Sequence, residues 1–249
     1  MSKYKLLALD LDGTVLNDEG KVPAENREWI MKAAEAGVTV MLSTGRGMQT
    51  VTGILSEIPL NGPMVLLNGA EVWTAKDELC ERHFLDCDEI RRLHRIAQEA
   101  DAHFWGYSVE SLTGKPDWTE EMFSRNWMKF GMYHMEPDVI AELRRLAAES
   151  DSVEISRSAA INMEISVKGI SKESGVRTIC SRLGIPMEEV MAIGDNMNDY
   201  RLIRAAGLGV AMGNGDEELK AVADAVTDTN NNCGVAKAIQ RYIFEEAVV

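Results

Sequence analysis

Two carboxylates, Asp10 and Asp12, stand at the end of a short apolar run, residues 5–9, that predicts a β-strand. In an extended chain, residues i and i+2 point to the same side, so we expect the two side chains to converge. Carboxylates that lie so close repel each other, and a hard divalent cation is the usual remedy. The pair therefore predicts a metal site, although a bare pair of this spacing also occurs in solvated turns.

A calcium-binding loop of the EF-hand type is the nearest alternative for this stretch, and the sequence excludes it. The glycine of such a loop would have to stand two residues beyond Gly13, and the twelfth position is Lys21 rather than glutamate. A strand, not a helix, precedes the loop.

Three later parts of the chain carry groups that bind metal or phosphate. They are residues 43–46, which include Thr44; the single residue Lys172; and residues 194–199. Carboxylates hold Mg²⁺, while hydroxyl, ammonium and N–H groups hold the oxygens of a phosphate. Each stretch alone also has a simpler explanation, namely a strand-to-helix turn, an exposed lysine, or an acidic residue that balances a helix dipole. Only their order and spacing along one chain favour a common site.

Alternating strands and helices position these groups. Buried strands are predicted at residues 5–9, 38–42, 64–67, 190–193, 209–212 and 225–227, and helices at 23–36, 48–57, 172–182 and 217–223, with a last helix at the end. This alternation predicts an α/β fold with a Rossmann-like parallel sheet, covered by helices on both faces. Ligands of such sheets lie beyond the carboxyl ends of the strands, where three of the four stretches stand.

The pattern changes between residues 82 and 167, which we predict to be an inserted α+β domain, the cap. Amphipathic helices are predicted at 89–100 and 138–149, and strands at 103–108, 153–156 and 161–167, while residues 110–135 carry no clear pattern. The predicted division is thus a core made of residues 1–81 and 168–249, with the cap made of residues 82–167 between them.

Composition restricts the possible partners. The 249 residues carry a formal net charge of −14, which argues against nucleic acid or an anionic membrane as a partner. The four cysteines show no metal-binding spacing, and no apolar run is long enough for a membrane span or a signal sequence. We therefore expect a cytoplasmic protein, monomeric or homodimeric.

Taken together, D-L-D-G-T-V (residues 10–15), S-T-G-R (43–46), the lysine that opens a late helix, and G-D-N-M-N-D (194–199) resemble the four motifs of the haloacid dehalogenase superfamily. The chain is most similar to the Cof-type phosphatases, through N-G-A (68–70), I-S-K-E-S-G (170–175) and G-V-A-M (209–212). The inserted domain resembles the type IIB cap of that family.

The resemblance implies a role for each motif residue. Asp10 is expected to be the nucleophile that forms an aspartyl-phosphate, and Asp12 the group that protonates the leaving alcohol and later deprotonates water. The implied Mg²⁺ site consists of Asp10, the main-chain carbonyl of Asp12, Asp195 and the supporting Asp199. The implied phosphate ligands are Thr44, Gly45, Lys172, Asn198 and the main-chain N–H of Leu11. Arg46 either joins these ligands or forms an ion pair.

The predicted function is a Mg²⁺-dependent phosphatase that hydrolyses a small phosphorylated metabolite, such as a sugar phosphate. Two alternatives stay open at this point: a phosphotransferase or phosphomutase, and a catalytically weak phosphate-binding regulatory protein. Substrate choice is expected to lie in the cap, where Trp118, Arg125 and Trp127 either contact the leaving group or belong to the cap core.

Overall fold

The computed structural model describes residues 2–58 and 61–245. Its strands are β1 (Leu6–Leu9), β2 (Thr39–Ser43), β3 (Met64–Leu66), β4 (Glu71–Ala75), β5 (Glu78–Arg82), β6 (His103–Ser108), β7 (Leu112–Gly114), β8 (Trp127–Tyr133), β9 (Val153–Ser156), β10 (Asn162–Val167), β11 (Val190–Gly194), β12 (Leu208–Ala211) and β13 (Ala225–Val226). Its helices are α1 (Ala24–Glu35), α2 (Met48–Glu57), α3 (Cys87–Glu99), α4 (Pro137–Ala147), α5 (Lys172–Leu183), α6 (Tyr200–Ala205), α7 (Glu217–Lys220) and α8 (Gly234–Ile243). None of the helices in these described ranges has the length and apolar character that crossing a bilayer requires.

The larger sheet has the strand order β13-β12-β11-β1-β2-β3-β4-β5. Strands β13 to β3 pair in parallel, as the sequence predicts, so the α/β prediction is confirmed. Strands β4 and β5 add an antiparallel hairpin at one edge, which the sequence analysis did not predict. This hairpin escaped prediction because an edge strand keeps polar residues and lacks the apolar run of a central strand.

Helices cover both faces of the larger sheet, and the central strand β1 shows why. Leu7 and Leu9 pack in a cluster with residues of α1, α2 and α8. Leu6 and Ala8, which point the other way, pack in a second cluster with residues of α5 and α6. Every side chain of β1 is therefore buried, which explains its continuous apolar sequence.

Residues between β5 and α5 form the second sheet, an antiparallel one with the order β7-β6-β8-β10-β9. Helices α3 and α4 pack on one of its faces, with Phe104, Phe130, Met163 and Ile165 in a shared apolar cluster. The unassigned residues 110–135 contribute strands β7 and β8 to this sheet. The fold is thus an α/β core with an inserted α+β cap whose second face turns towards the core.

Candidate active site

A fully buried lysine lies at the centre of the site, beyond the carboxyl ends of β1 and β11. The Nζ of Lys172 donates to Oδ1 of Asp10 at 2.7 Å and to Oδ1 of Asp199 at 2.6 Å. Its position is set locally, because Ser171 caps α5 through a reciprocal pair of hydrogen bonds with Ser174. Burial alone would lower the pKa of Lys172, but the two carboxylates raise it instead, so the ammonium stays charged.

Three carboxylates surround this ammonium. Asp10, Asp195 and Asp199 each place one oxygen within 4.8 Å of the others, and Asp10 and Asp199 are buried. Burial raises the pKa of Asp10 well above its usual range, with Lys172 opposing this and the other two carboxylates adding to it. Burial and the Asp199 charge raise the pKa of Asp195 to about 6.

Charge balance shows what this cluster lacks. Three carboxylates face one ammonium. Within the described ranges, the carboxylate of Asp195 accepts a single hydrogen bond, from the Thr14 hydroxyl at 3.3 Å, and forms no salt bridge. A buried excess of negative charge is costly unless a cation offsets it. Oxygen ligands at this spacing fit a hard divalent cation such as Mg²⁺.

Asp12 lines the same cavity as Asp10, but its carboxylate does not join the cluster of Asp10, Asp195 and Asp199, so the two side chains predicted to converge share the cavity and not the cluster. The Asp12 side chain is 58% exposed and pairs with Arg46, whose Nη2 lies 2.5 Å from Oδ1. The chain leaves the extended conformation after Leu9 and turns, with the carbonyl of Leu11 accepting from the N–H groups of Thr14 and Leu16. The i, i+2 rule holds only inside a strand, and Asp12 stands in the turn.

Hydrogen-bond donors stand beside the carboxylates in the sequence and in the cavity lining. Thr44 is buried, and in the described parts of the chain no hydrogen bond uses the N–H of Leu11 or of Gly45. N–H groups without an acceptor are rare in the interior of native proteins, so these two are available to water or to a ligand. A cavity of about 260 Å³ joins Asp10, Thr44, Gly45, Asp195 and Asn198. The predicted site residues therefore meet in one place, and the Asp12 and Arg46 pair lines the same cavity.

Two buried charged residues of the cap, Lys129 and Glu164, also line this cavity and escaped the sequence analysis. The Nζ of Lys129 lies 2.7 Å from Oε1 of Glu164 and donates to the carbonyl of Gly45 at 2.8 Å. Oε2 of Glu164 accepts from Nδ2 of Asn68 at 2.6 Å. Burial lowers the pKa of Lys129, with the Glu164 charge opposing the shift.

Matches to known proteins agree with this geometry. A family model described as haloacid dehalogenase-like hydrolase matches residues 7–139 and 114–239. The chain belongs to the haloacid dehalogenase-like hydrolases.

The relatives of this haloacid dehalogenase-like hydrolase include phosphatases. The 5-amino-6-(5-phospho-D-ribitylamino)uracil phosphatase YcsE of Bacillus subtilis (strain 168) is 36% identical over 240 residues, 96% of each chain. A solved haloacid dehalogenase-like hydrolase from B. subtilis superposes with a TM-score of 0.88 at 24% identity, over 96% of this chain and 100% of the other. A subclass IIB sugar phosphatase superposes with a TM-score of 0.84 at 21% identity, over 96% and 98% of the two chains. The chain is thus a Cof-type phosphomonoesterase with the fold of subclass IIB.

The cap of this hydrolase presents different aromatic residues to the site from those predicted. Trp105 and Tyr107, on β6, line the catalytic cavity. Trp127 is only 1% exposed and stacks on Trp118 at 4.5 Å between ring centroids, in the cluster under α3 and α4. Arg125 donates to the Ser111 hydroxyl at 2.8 Å and lines neither cavity beside the motifs. Of the two roles left open for Trp118 and Trp127, the structure therefore shows that of cap core.

A second cavity of this hydrolase, about 370 Å³, is lined by Asn68, Lys172 and Asn198 and shares Asn198 with the first. Arg144, Arg157 and Arg201 reach it from the cap and from α6. Arg201, on α6 of the core, pairs with Glu154 of the cap at 2.5 Å and so joins the two, whereas Arg144 donates to the carbonyls of Ala160 and Asn162 within the cap.

Proposed function

We propose that this protein is a Mg²⁺-dependent phosphatase that hydrolyses a small phosphorylated metabolite through an aspartyl-phosphate on Asp10. The observation that carries the proposal is the ammonium of Lys172, buried between Asp10 and Asp199 and beside Asp195, with free N–H donors around it. A carboxylate attacks a phosphate only where nearby positive charge offsets the repulsion between them. The cluster supplies one cation itself and the ligands for another.

The metal would be held by the carboxylates of Asp10, Asp195 and Asp199 and by the main-chain carbonyl of Asp12. When bound, Mg²⁺ offsets the negative charge of the substrate's phosphate and of the cluster. The three carboxylates fit this role because their oxygens already lie within 4.8 Å of one another. Asp199 also accepts from the N–H groups of Asp195 and Asn196, both at 3.2 Å, so it fixes the loop that carries Asp195.

The reaction begins at the oxygen of Asp10 that does not bind Lys172. Lys172 occupies Oδ1 of Asp10, which leaves Oδ2 to attack phosphorus and form the acyl phosphate as the bond to the leaving oxygen breaks. Asp12 gives its proton to that oxygen, which departs as an alcohol. Asp12 then takes a proton from water, whose oxygen attacks phosphorus, and the carboxylate of Asp10 and inorganic phosphate are released. For this role Arg46 must release one of the two Asp12 oxygens, which then carries the proton, while it keeps the other and so directs the group.

The transferred phosphate would be held by the N–H groups of Leu11 and Gly45, the Thr44 hydroxyl, Lys172 and the Asn198 amide. These groups recognise phosphate alone and are common to every phosphomonoester. The identity of the alcohol must then be read by the cavity between core and cap, where Trp105 and Tyr107 offer ring faces and Ser158 and Asn196 offer polar groups.

For the substrate class, we infer a phosphorylated polyol or sugar that carries a planar ring. The relative YcsE, 36% identical, is named for a phosphoribityl-aminouracil, in which a polyol phosphate is joined to a pyrimidine. Aromatic faces suit such a ring, and the neighbouring hydroxyl and amide groups suit a polyol chain.

Release of inorganic phosphate from a panel of substrates tests the proposal. We expect Mg²⁺-dependent turnover of 5-amino-6-(5-phospho-D-ribitylamino)uracil and of sugar phosphates, loss of turnover in EDTA, and recovery on adding Mg²⁺. Full activity after exhaustive chelation would refute the mechanism. Transfer of phosphate to an added sugar in place of water would indicate a phosphotransferase, and no turnover of any substrate would indicate a binding protein.

A further inference from the structure

We propose that the buried cap pair Lys129 and Glu164 orients the phosphate-binding amide of Asn198, through Asn68, and so completes the phosphate site only when cap and core are in contact. This inference rests on the proposed function for the role of Asn198. Lys129 and Glu164 are positioning residues, because each acts through another group of the core.

Lys129 and Glu164 contact the core because both lie on the face of the cap sheet that is opposite the cap helices. Lys129 lies opposite Tyr107 in the register of β8 and β6, and Glu164 lies opposite Gly131 in the register of β10 and β8. Their neighbours Phe130, Met163 and Ile165 point to the other face and pack with the cap helices. The side chains of Lys129 and Glu164 are 2% and 9% exposed, so their charges are balanced chiefly by each other.

A chain of hydrogen bonds leads from this pair to the phosphate site. Glu164 accepts from Nδ2 of Asn68 at 2.6 Å, and Oδ1 of Asn68 accepts from Nδ2 of Asn198 at 3.3 Å. Asn68 is held for this contact by a left-handed backbone, with φ of 56°. The chain crosses from cap to core between Glu164 and Asn68.

The direction of this chain is fixed by its first member. An ionised carboxylate only accepts hydrogen bonds, so Glu164 requires the Nδ2 end of Asn68 and turns its Oδ1 end towards Asn198. Asn198 must then present its own Nδ2, since the reversed amide would place two oxygens against each other. The second N–H of that Nδ2 is left to bind a phosphate oxygen.

Lys129 acts on the other side of the phosphate site. Its Nζ donates to the carbonyl of Gly45, whose own N–H is a proposed phosphate donor. A Cβ at position 45 would lie 3.2 Å from Oδ1 of Asn68, 3.3 Å from Oε2 of Glu164 and 3.4 Å from Nζ of Lys129. Glycine at this position therefore lets cap and core approach closely enough for both contacts.

Binding of inorganic phosphate, measured by titration calorimetry with Mg²⁺ present, tests the proposal without requiring turnover. We expect Glu164→Gln to weaken phosphate binding about tenfold, because glutamine also donates and no longer fixes the Asn68 amide. Glu71→Gln is the matched control, since Glu71 is buried and paired with Arg82 at 2.7 Å on the core hairpin, outside both cavities. It should destabilise the protein yet leave phosphate binding unchanged.

A double variant separates positioning from stability. Lys129→Met with Glu164→Gln removes both buried charges, so thermal stability should recover relative to Glu164→Gln alone. Phosphate binding should remain weak, because glutamine and the Ser156 hydroxyl, which accepts from Nδ2 of Asn68 at 3.2 Å, can each also donate and so do not fix the orientation of the Asn68 amide. Phosphate affinity within twofold of the wild type in both variants would overturn the proposal. A wild-type protein that binds phosphate but turns over no substrate would instead contradict the proposed function.

Discussion

The guanidinium of Arg46 binds both carboxylate oxygens of Asp12, with Nη2 at 2.5 Å from Oδ1 and Nε at 2.8 Å from Oδ2. This two-point pair joins the turn after β1 to the end of β2 at the rim of the catalytic cavity. The pair directs the side chain of Asp12, which we assign to proton transfer. Arg46 was expected either to bind phosphate or to form an ion pair, and the structure shows the ion pair.

Removing this partner should slow the reaction. We expect Arg46→Met to lower kcat about tenfold with little change in KM, because a misdirected acid–base group impairs the chemical step. Steady-state kinetics on a sugar phosphate measure both constants. Arg145→Met, which removes an exposed pair with Glu142, is the control and should leave both unchanged. A raised KM at unchanged kcat would show that Arg46 contacts the substrate instead.

Replacing the two aspartates of the first motif should separate their roles. Asp10→Asn should abolish turnover while the protein stays folded, since the nucleophile is lost. Asp12→Asn should reduce turnover by about 10²–10⁴-fold through loss of proton transfer. Acid quenching of the wild type with ³²P-labelled substrate should show labelled phosphate on Asp10 in peptide mapping. Label on Asp12, or on any histidine, would contradict the assignment.

Asp195 should destabilise the protein when no metal is present. Its pKa is raised to about 6 from 3.8, so its favourable contribution to folding is complete below pH 3.8 and is lost as the pH rises through 6. Asp195→Asn should thus raise the free energy of unfolding in EDTA at pH 8 by on the order of 1–3 kcal/mol. Urea unfolding measures the change, which should shrink towards zero near pH 4.

The same variant should behave in the opposite way with Mg²⁺. The wild type should gain stability from the bound ion, while Asp195→Asn should lose most of that gain because a metal carboxylate is missing. Thermal unfolding with and without Mg²⁺ supplies the comparison. Equal Mg²⁺-induced shifts in both proteins would exclude Asp195 from the metal site.

Aromatic residues of the cap should divide into two groups. Tyr107→Ala, at the catalytic cavity, should change kcat/KM unevenly among sugar phosphates and the phosphoribityl-aminouracil, with less effect on p-nitrophenyl phosphate. Trp127→Ala should instead cost about 3–5 kcal/mol of stability, because it removes a buried ring from the cap core. Kinetics on the panel, together with urea unfolding, distinguish the two effects. A uniform loss for Tyr107→Ala would mean that this residue does not read the leaving group.

The sequence by itself determined the core and the order of its motifs. Central parallel strands are buried on both faces, so they appear as apolar runs, and helix starts such as Ser171 carry local capping signals. The carboxyl ends of parallel strands meet at one edge, which brings Asp10, Thr44 and Asp195 together whatever the loops do. The chemical roles of these residues stay predictions.

Only the tertiary structure decided how the cap faces the core. Alternation in β10 shows that Glu164 and Ile165 point to opposite faces, but not which face meets helices and which meets the core. That choice depends on contacts between residues far apart in the chain, such as Glu164 with Asn68 and Lys129 with Gly45. The direction of Asp12 was likewise set by Arg46, a partner in the loop after β2, because a turn has no fixed side-chain period.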